Sequence, residues 1–373
     1  MKKIGLILLF TVVYLSSLHT KSYLSVNESN RVCEESSSEF VDILFAGDVM
    51  GHMPQVRVAY NKERNEYDFR PCFQYLKPYI ESADLAVANL EVSLAGEPYS
   101  GYPNFSSPDA LFDGLVWAGF DVVLLANNHV ADKGRRGITK TIQTIEKQAQ
   151  YAGVYADAAA RDSLYPLIIN IKGVQIALLN CTYGTNFNPV YLPQMVNLID
   201  TVQIKQDVLK AQKQYADLLI MNIHWGDEYK VNANDYQAKL ARFFARIGID
   251  LVVGSHPHVV QNFEYINTND STKMPVYYSL GNFVSNQRKR NTNGGIMAKV
   301  TVNVNTRSIV TCGYLPFYVH KGEIEEKFQY YLLPTVDYLS KKLKITLPAK
   351  EDSLLMLFDT DTKKRLHNLP IVR

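Results

Sequence analysis

The chain has 373 residues, room for one large or two ordinary domains, and its 47% hydrophobic and 20% charged content is that of a globular protein with a substantial core. Its formal charge of +2 comes from the first 22 residues: without Lys2, Lys3 and Lys21 the 39 basic residues become 36 against 37 acidic, a net of −1. Such a balance excludes a general nucleic-acid binder.

Two lysines precede an apolar stretch over residues 4–15, which is followed by Ser16, Ser17 and Thr20. That stretch is short for a spanning helix and has the length of a signal h-region. Residues 1–22 are therefore read as a signal peptide or N-terminal anchor, and the folded part as exported, periplasmic or at the cell surface. The serine-rich segment 23–40 reads as a linker. Four widely spaced cysteines, Cys33, Cys72, Cys181 and Cys312, form no C-x-x-C pair, which argues against zinc–thiolate binding. One or two disulfides remain open, with Cys72 and Cys181 the better candidates for core positions.

From residue 41 to about 283 apolar strands alternate with helical patterns, and alternation of this kind implies βα units around a mainly parallel sheet. Helices are predicted over 72–82, 108–119, 134–153, 201–215 and 235–248. The second has Ser107 before Pro108 as a cap-and-proline start and Gly119 as its stop. Further strands are predicted at 174–181 and 275–280. After about residue 291 the apolar and polar residues alternate singly, the pattern of an antiparallel meander. The tail from 329 to 373 mixes short helical and extended signals. The expected organisation is a domain over 41–300 with a β-rich C-terminal extension over 301–373.

Five apolar runs begin just after an aspartate (Asp42, Asp84, Asp121, Asp217, Asp250) and end on a polar residue six to eight positions later. The end residues are Asp48, Glu91, His129, His224 and the pair His256 and His258. At about 3.3 Å per strand residue, parallel strands would carry these ends to one height. Ligands in open α/β sheets bind beyond the carboxyl ends of the strands. His256 and His258, alternate residues around Pro257, would face the same way if the segment is extended. Imidazole and carboxylate with an amide oxygen suit one or two divalent ions of zinc, manganese or iron. Such ions lower the pKa of a bound water, and a nearby histidine can protonate a leaving oxygen.

The ordered blocks GDVM, NLE, LANNH, HWGDEY, GSHPHV and SLGNF resemble the CapA family of capsule synthesis proteins. That family is associated with poly-gamma-glutamate production and built on the calcineurin-like metallophosphatase fold. The resemblance covers residues 42–283. It implies a four-layer αββα sandwich instead of the single doubly wound sheet that alternation alone suggests. It also implies Asp48 as a metal ligand, Glu91 as the bridging carboxylate, Asn128 as a side-chain oxygen ligand and His129 as the general acid. His224, His256 and His258 would complete the spheres. Metallophosphatases usually carry a histidine two residues after the first aspartate, where this chain has Met50; His52 is the candidate replacement. Asn282 of SLGNF, with Arg288 and Arg290 just beyond it, is expected to meet an anionic surface polymer or phosphate ester. The expected activity is metal-dependent, phosphoesterase-like hydrolysis in capsule synthesis, beside possible membrane synthase subunits. The alternative is a non-catalytic polymer-binding subunit of such a synthase.

Overall fold

A computed structural model of the chain describes residues 39–269 and 272–372. The export segment over 1–22, nearly all of the 23–40 linker, and Cys33 lie outside the described residues. Two large β-sheets pack face to face among the described residues, beside two small two-stranded ones. One is eight-stranded, in the order Lys327–Pro334, Ser308–Ile324, Gly294–Asn303, Phe40–Val49, Leu85–Leu90, Val122–Leu124 and Gln150–Ala152, with Asn282–Val284 pairing beside Phe40–Val49. The other is six-stranded: Phe263–Asn267, Lys273–Tyr277, Leu251–Ser255, Leu218–His224, Val174–Thr182 and Leu167–Ile171.

Side-chain alternation along the strands builds the layers, because successive residues point to opposite faces. Val41, Ile43, Phe45, Leu85 and Val87 face Ile176, Leu178, Leu218, Ile220, Leu251 and Val253 in one core between the sheets. Leu44, Ala46, Ala86 and Ala88 point outward and pack with Phe73, Ile80, Leu111, Phe112, Leu115 and Ile142 from the helices covering the first sheet. Leu219, Met221, Ile223 and Val252 pack with Ile204, Val208, Leu240 and Phe244 on the second sheet's outer face. The layers are helix, sheet, sheet, helix: a mixed α/β sandwich with parallel cores, as the resemblance implied. Cys72, Cys181 and Cys312 are buried and free.

The repeated aspartate turns out to be an aligning device. Asp84 accepts from the backbone N–H of Asp42 at 2.9 Å, Asp121 from Ala86 at 2.8 Å, Asp217 from Gln175 at 2.9 Å and Asp250 from Leu219 at 2.8 Å. Each carboxylate thus ties the start of its own strand to the start of a neighbouring parallel strand, so the far ends finish level.

Four expectations change in detail. The 72–82 helix is two short helices, Arg70–Phe73 and Lys77–Glu81, because Pro78 lacks an N–H and disfavours helix before it. The 134–153 helix stops at Ile145, since Gln150–Ala152 pairs with Val122–Leu124 as the sheet's parallel edge. The helix Ala110–Ala118 starts two residues late and is not capped by Ser107, whose hydroxyl is buried without a partner. The predicted 275–280 strand runs instead over Lys273–Tyr277. Beyond residue 291 the three strands form the expected antiparallel meander, joined to Phe40–Val49 through Gly294–Asn303. The tail resolves into the helices Thr335–Leu339 and Ala349–Arg365. No helix among the described residues is long and apolar enough to cross a membrane.

Candidate metal centre

Asp48 ends the central strand of the first sheet at a β-bulge. Its neighbour Gly47 is needed there: a Cβ would lie 2.0 Å from the Gly281 carbonyl, which accepts the Asp48 N–H at 3.1 Å. Asp48 is fully buried and accepts from Asn89 Nδ2 at 2.8 Å and from the His256 backbone N–H at 3.3 Å. His258 Nδ1 lies 3.1 Å from its Oδ2. Burial alone would raise the Asp48 pKa, but the His258 hydrogen bond and charge outweigh it and hold the carboxyl near about 2. The same partnership, with Glu91, lifts His258 to about 9 against the opposing effect of burial.

Glu91 follows the next strand, and its two carboxylate oxygens are buried with no hydrogen-bond partner. Burial and the Asp48 charge push its pKa well above the ordinary range. His224 ends a strand of the opposite sheet, and His256 and His258 follow the adjacent one. His224 Nε2 stands 3.6 Å and His258 Nε2 3.9 Å from Glu91 Oε1, too far for hydrogen bonds. Donors sharing one cation at about 2.1 Å stand roughly 3–4 Å apart. Asn128 Oδ1 lies 2.8 Å from His224 Nε2. His224 is depressed to about 3 by burial, and His256, whose Nδ1 is buried without a partner, falls well below the usual imidazole value for the same reason. A polar group buried without a partner is costly. Unpartnered oxygens on Glu91 and an unpartnered ring nitrogen on His256, two residues of one donor group, fit a divalent cation. Asp48, Glu91 and His258 form one group with donor atoms within 4.8 Å, and Glu91, His224 and His256 another. All six expected ligands therefore meet, drawn from both sheets.

His256 and His258 converge by a different route from the one alternation suggests. Both have left-handed backbones, φ +99° and +58°, so a tight turn brings their rings to 5.9 Å, not an extended segment. Such strain recurs at functional sites.

His129 sits beside this cluster. Its Nδ1 is 2.7 Å from Asp132 Oδ2, and Asp132 also accepts the Phe105 N–H at 2.7 Å. Burial opposes the imidazolium, yet Asp132 and Glu91 raise the His129 pKa overall. Phe105 stands edge-on between His129, at 4.7 Å, and His52, at 5.2 Å. His52 does not fill the Met50 gap: its Nδ1 lies by Gln55 Oε1 and accepts the Asn286 N–H, and it joins none of the cation groups among the described residues. Met50 is itself a core residue, 2% exposed.

Asn282 is fully buried and donates to the carbonyls of His258 and Thr292, so it braces the histidine turn. Arg288 donates to the Val319 carbonyl and lies over the Tyr330 ring, while Arg290 pairs with Asp361 at 2.9 Å. Asp132, Asn89 and Glu228 were not singled out in the sequence. Asp132, three residues beyond His129 in NNHVAD, had a readable signal: an acid within reach of the histidine's other nitrogen.

The Haemophilus influenzae NAD nucleotidase has a similar fold, with TM-score 0.50 and 13% identity over 87% of this chain and 60% of its own. The "Capsule biosynthesis protein CapA" of Bacillus anthracis is 28% identical over 297 residues, 76% of this chain and 69% of that protein. The "PGA biosynthesis protein CapA" of Bacillus subtilis is 29% identical over 270 residues, 67% and 65% of the two chains. The chain thus spans about two thirds of these relatives' length. Residues 42–287 match the family described as "Bacterial capsule synthesis protein PGA_cap", a span that holds every member of the buried cluster, and the chain belongs to that family.

Proposed function

We propose that this chain is an exported, metal-dependent hydrolase of capsule synthesis, acting on a phosphate ester or, as a second target, on an amide of an anionic polymer such as poly-gamma-glutamate. The observation that supports it is the buried ring of Asp48, Glu91, Asn128, His224, His256 and His258, with unpartnered donors on Glu91 and His256. A divalent ion held there lowers the pKa of water and draws charge from a phosphoryl or carbonyl oxygen. Asp48 and Glu91 supply the negative charge that such an ion needs. His129, oriented by Asp132 and with its imidazolium favoured against burial by the charges of Asp132 and Glu91, is the group placed to give a proton to the leaving oxygen. Export is consistent with the capsule role of the relatives, and membrane synthase subunits are the expected partners.

The test is turnover of aryl phosphate mono- and diesters by protein loaded with manganese or zinc. His129→Gln is expected to lower kcat by about 10²–10⁴-fold while metal content stays the same. Wild-type protein with bound metal and no turnover on esters or polymer, or a variant with undiminished kcat, overturns the reading.

One observation favours the second reading, a polymer-binding accessory subunit. Lys289 lies over Tyr229, whose ring is 6.0 Å from His258, and Arg288 and Lys321 flank Tyr330. Lys321 also bonds Asn286, the residue that donates to His52. Cations thus border the cluster. Poly-gamma-glutamate binding that survives His129→Gln but is lost in an Arg288→Glu, Lys289→Glu variant of a turnover-free protein would support it.

A further inference from the structure

The two halves of the cluster are unequally supplied. Around His224 and His256 stand Glu91 and the Asn128 oxygen, four donors in all. Around His258 the buried carboxylates are Asp48 and Glu91, and the side chain two residues after Asp48 is the buried thioether of Met50. We propose that Glu228 supplies the fourth protein ligand on the His258 side, replacing the donor that the Met50 position lacks. The proposal rests on the reading of the cluster as a metal centre.

Three observations carry it. Glu228 Oε1 is 4.0 Å from His258 Nε2, the same order of separation as the Glu91 contacts and too long for a hydrogen bond. Glu228, His256 and His258 have donor atoms within 4.8 Å of one another, a third group sharing its histidines with the other two. The loop bearing Glu228 is fastened to the histidine turn itself. The Tyr229 N–H donates to the Pro257 carbonyl at 2.8 Å, and the Trp225 N–H to the Ser255 carbonyl at 3.1 Å. Asn234 holds Asp227 at 2.8 Å, and Gly226 takes φ +89° where a Cβ would strike Gln237 at 2.6 Å. Glu228 therefore moves with His256 and His258 rather than with a loose surface loop.

The chemistry differs from that of a histidine at position 50. A carboxylate adds a negative charge where imidazole adds none, and favours harder cations such as manganese over zinc. Glu228 is also the exposed member of the cluster, its side chain 42% exposed, so an ion that it held would lie on the solvent side of the cluster.

The test uses the full-length protein, metal-stripped and titrated with manganese alone. Wild type is expected to bind two ions per chain and to show the spin-coupled spectrum of a manganese pair by electron paramagnetic resonance. Glu228→Gln, similar in shape and at an exposed position, is expected to keep the metal-free melting temperature. It should weaken one ion at least ~10-fold and leave the other, with the spectrum of an isolated ion. Two ions bound by the variant with wild-type affinity and coupling overturn the assignment, as does loss of turnover without loss of metal. Wild type that binds no manganese overturns instead the metal-centre reading beneath it.

Discussion

Gly153 shows how single positions hold the centre together from outside it. It has φ +101°, and a Cβ there would lie 2.1 Å from Asn180 Oδ1 and 2.8 Å from the Ala126 nitrogen. Those two atoms are partners: Asn180, in the second sheet, accepts the Ala126 N–H at 2.8 Å. Ala126 leads directly into Asn127, Asn128 and His129, so the bond sets where the proposed amide ligand and general acid begin. Gly153→Ala is expected to cost roughly 2–4 kcal/mol from overpacking and left-handed strain, read by denaturant unfolding. It should also weaken metal binding; a loss below about 0.5 kcal/mol would contradict this account. At this scale the ligand residue types were readable because donors with metal chemistry close apolar runs. Glu228 was not, because nothing local distinguishes it from Asp227 beside it. Only the packing does so, which turns Glu228 to His258 at 4.0 Å and Asp227 to Asn234.

Among the elements, the helix Ala349–Arg365 illustrates what periodicity could not deliver. Residues 354–358 read Leu-Leu-Met-Leu-Phe, an unbroken apolar run with no 3.6-residue face. The sheet selects from it: Leu355 and Phe358 are buried, while Met356 and Leu357 stay exposed. Phe358 fills the space above Gly294, and Glu351 at the helix start meets His320 and Tyr318 of the long strand Ser308–Ile324. Leu355→Ala is expected to cost about 2–5 kcal/mol, and Leu357→Ala little. Equal losses in urea unfolding would mean that the helix docks by another face. The parallel strands were the better-determined elements. Four of them are preceded by an aspartate that accepts a backbone N–H near the start of a neighbouring strand, so a sequence repeat and a structural register are the same fact.

For the whole molecule, the proposed centre would also be a fastening. Asp48, Glu91 and Asn128 come from the first sheet's side, and His224, His256 and His258 from the second, so an ion binding all of them joins the two halves of the sandwich. Binding to the native state alone stabilises by about 2.7 kcal/mol at a hundred times Kd. Manganese or zinc is therefore expected to raise the melting temperature by several degrees, and a chelator to reverse the rise. An unchanged transition in scanning calorimetry would count against a cation spanning the sheets. Without an ion Asp48 and Glu91 are buried together, which the raised Glu91 and His258 pKa values reflect.

Sequence alone determined that the apolar runs are strands, the residue types at their ends and the phase between them. All three follow from local rules: side-chain alternation, strand rise and the chemistry of each donor. Tertiary structure decided that the runs divide between two sheets, that His256 and His258 meet through a left-handed turn, and that Met50 is core while Glu228 faces the histidines. Those outcomes depend on distances between segments far apart in the chain. A local pattern carries no information about them until packing of the two sheets brings the segments together.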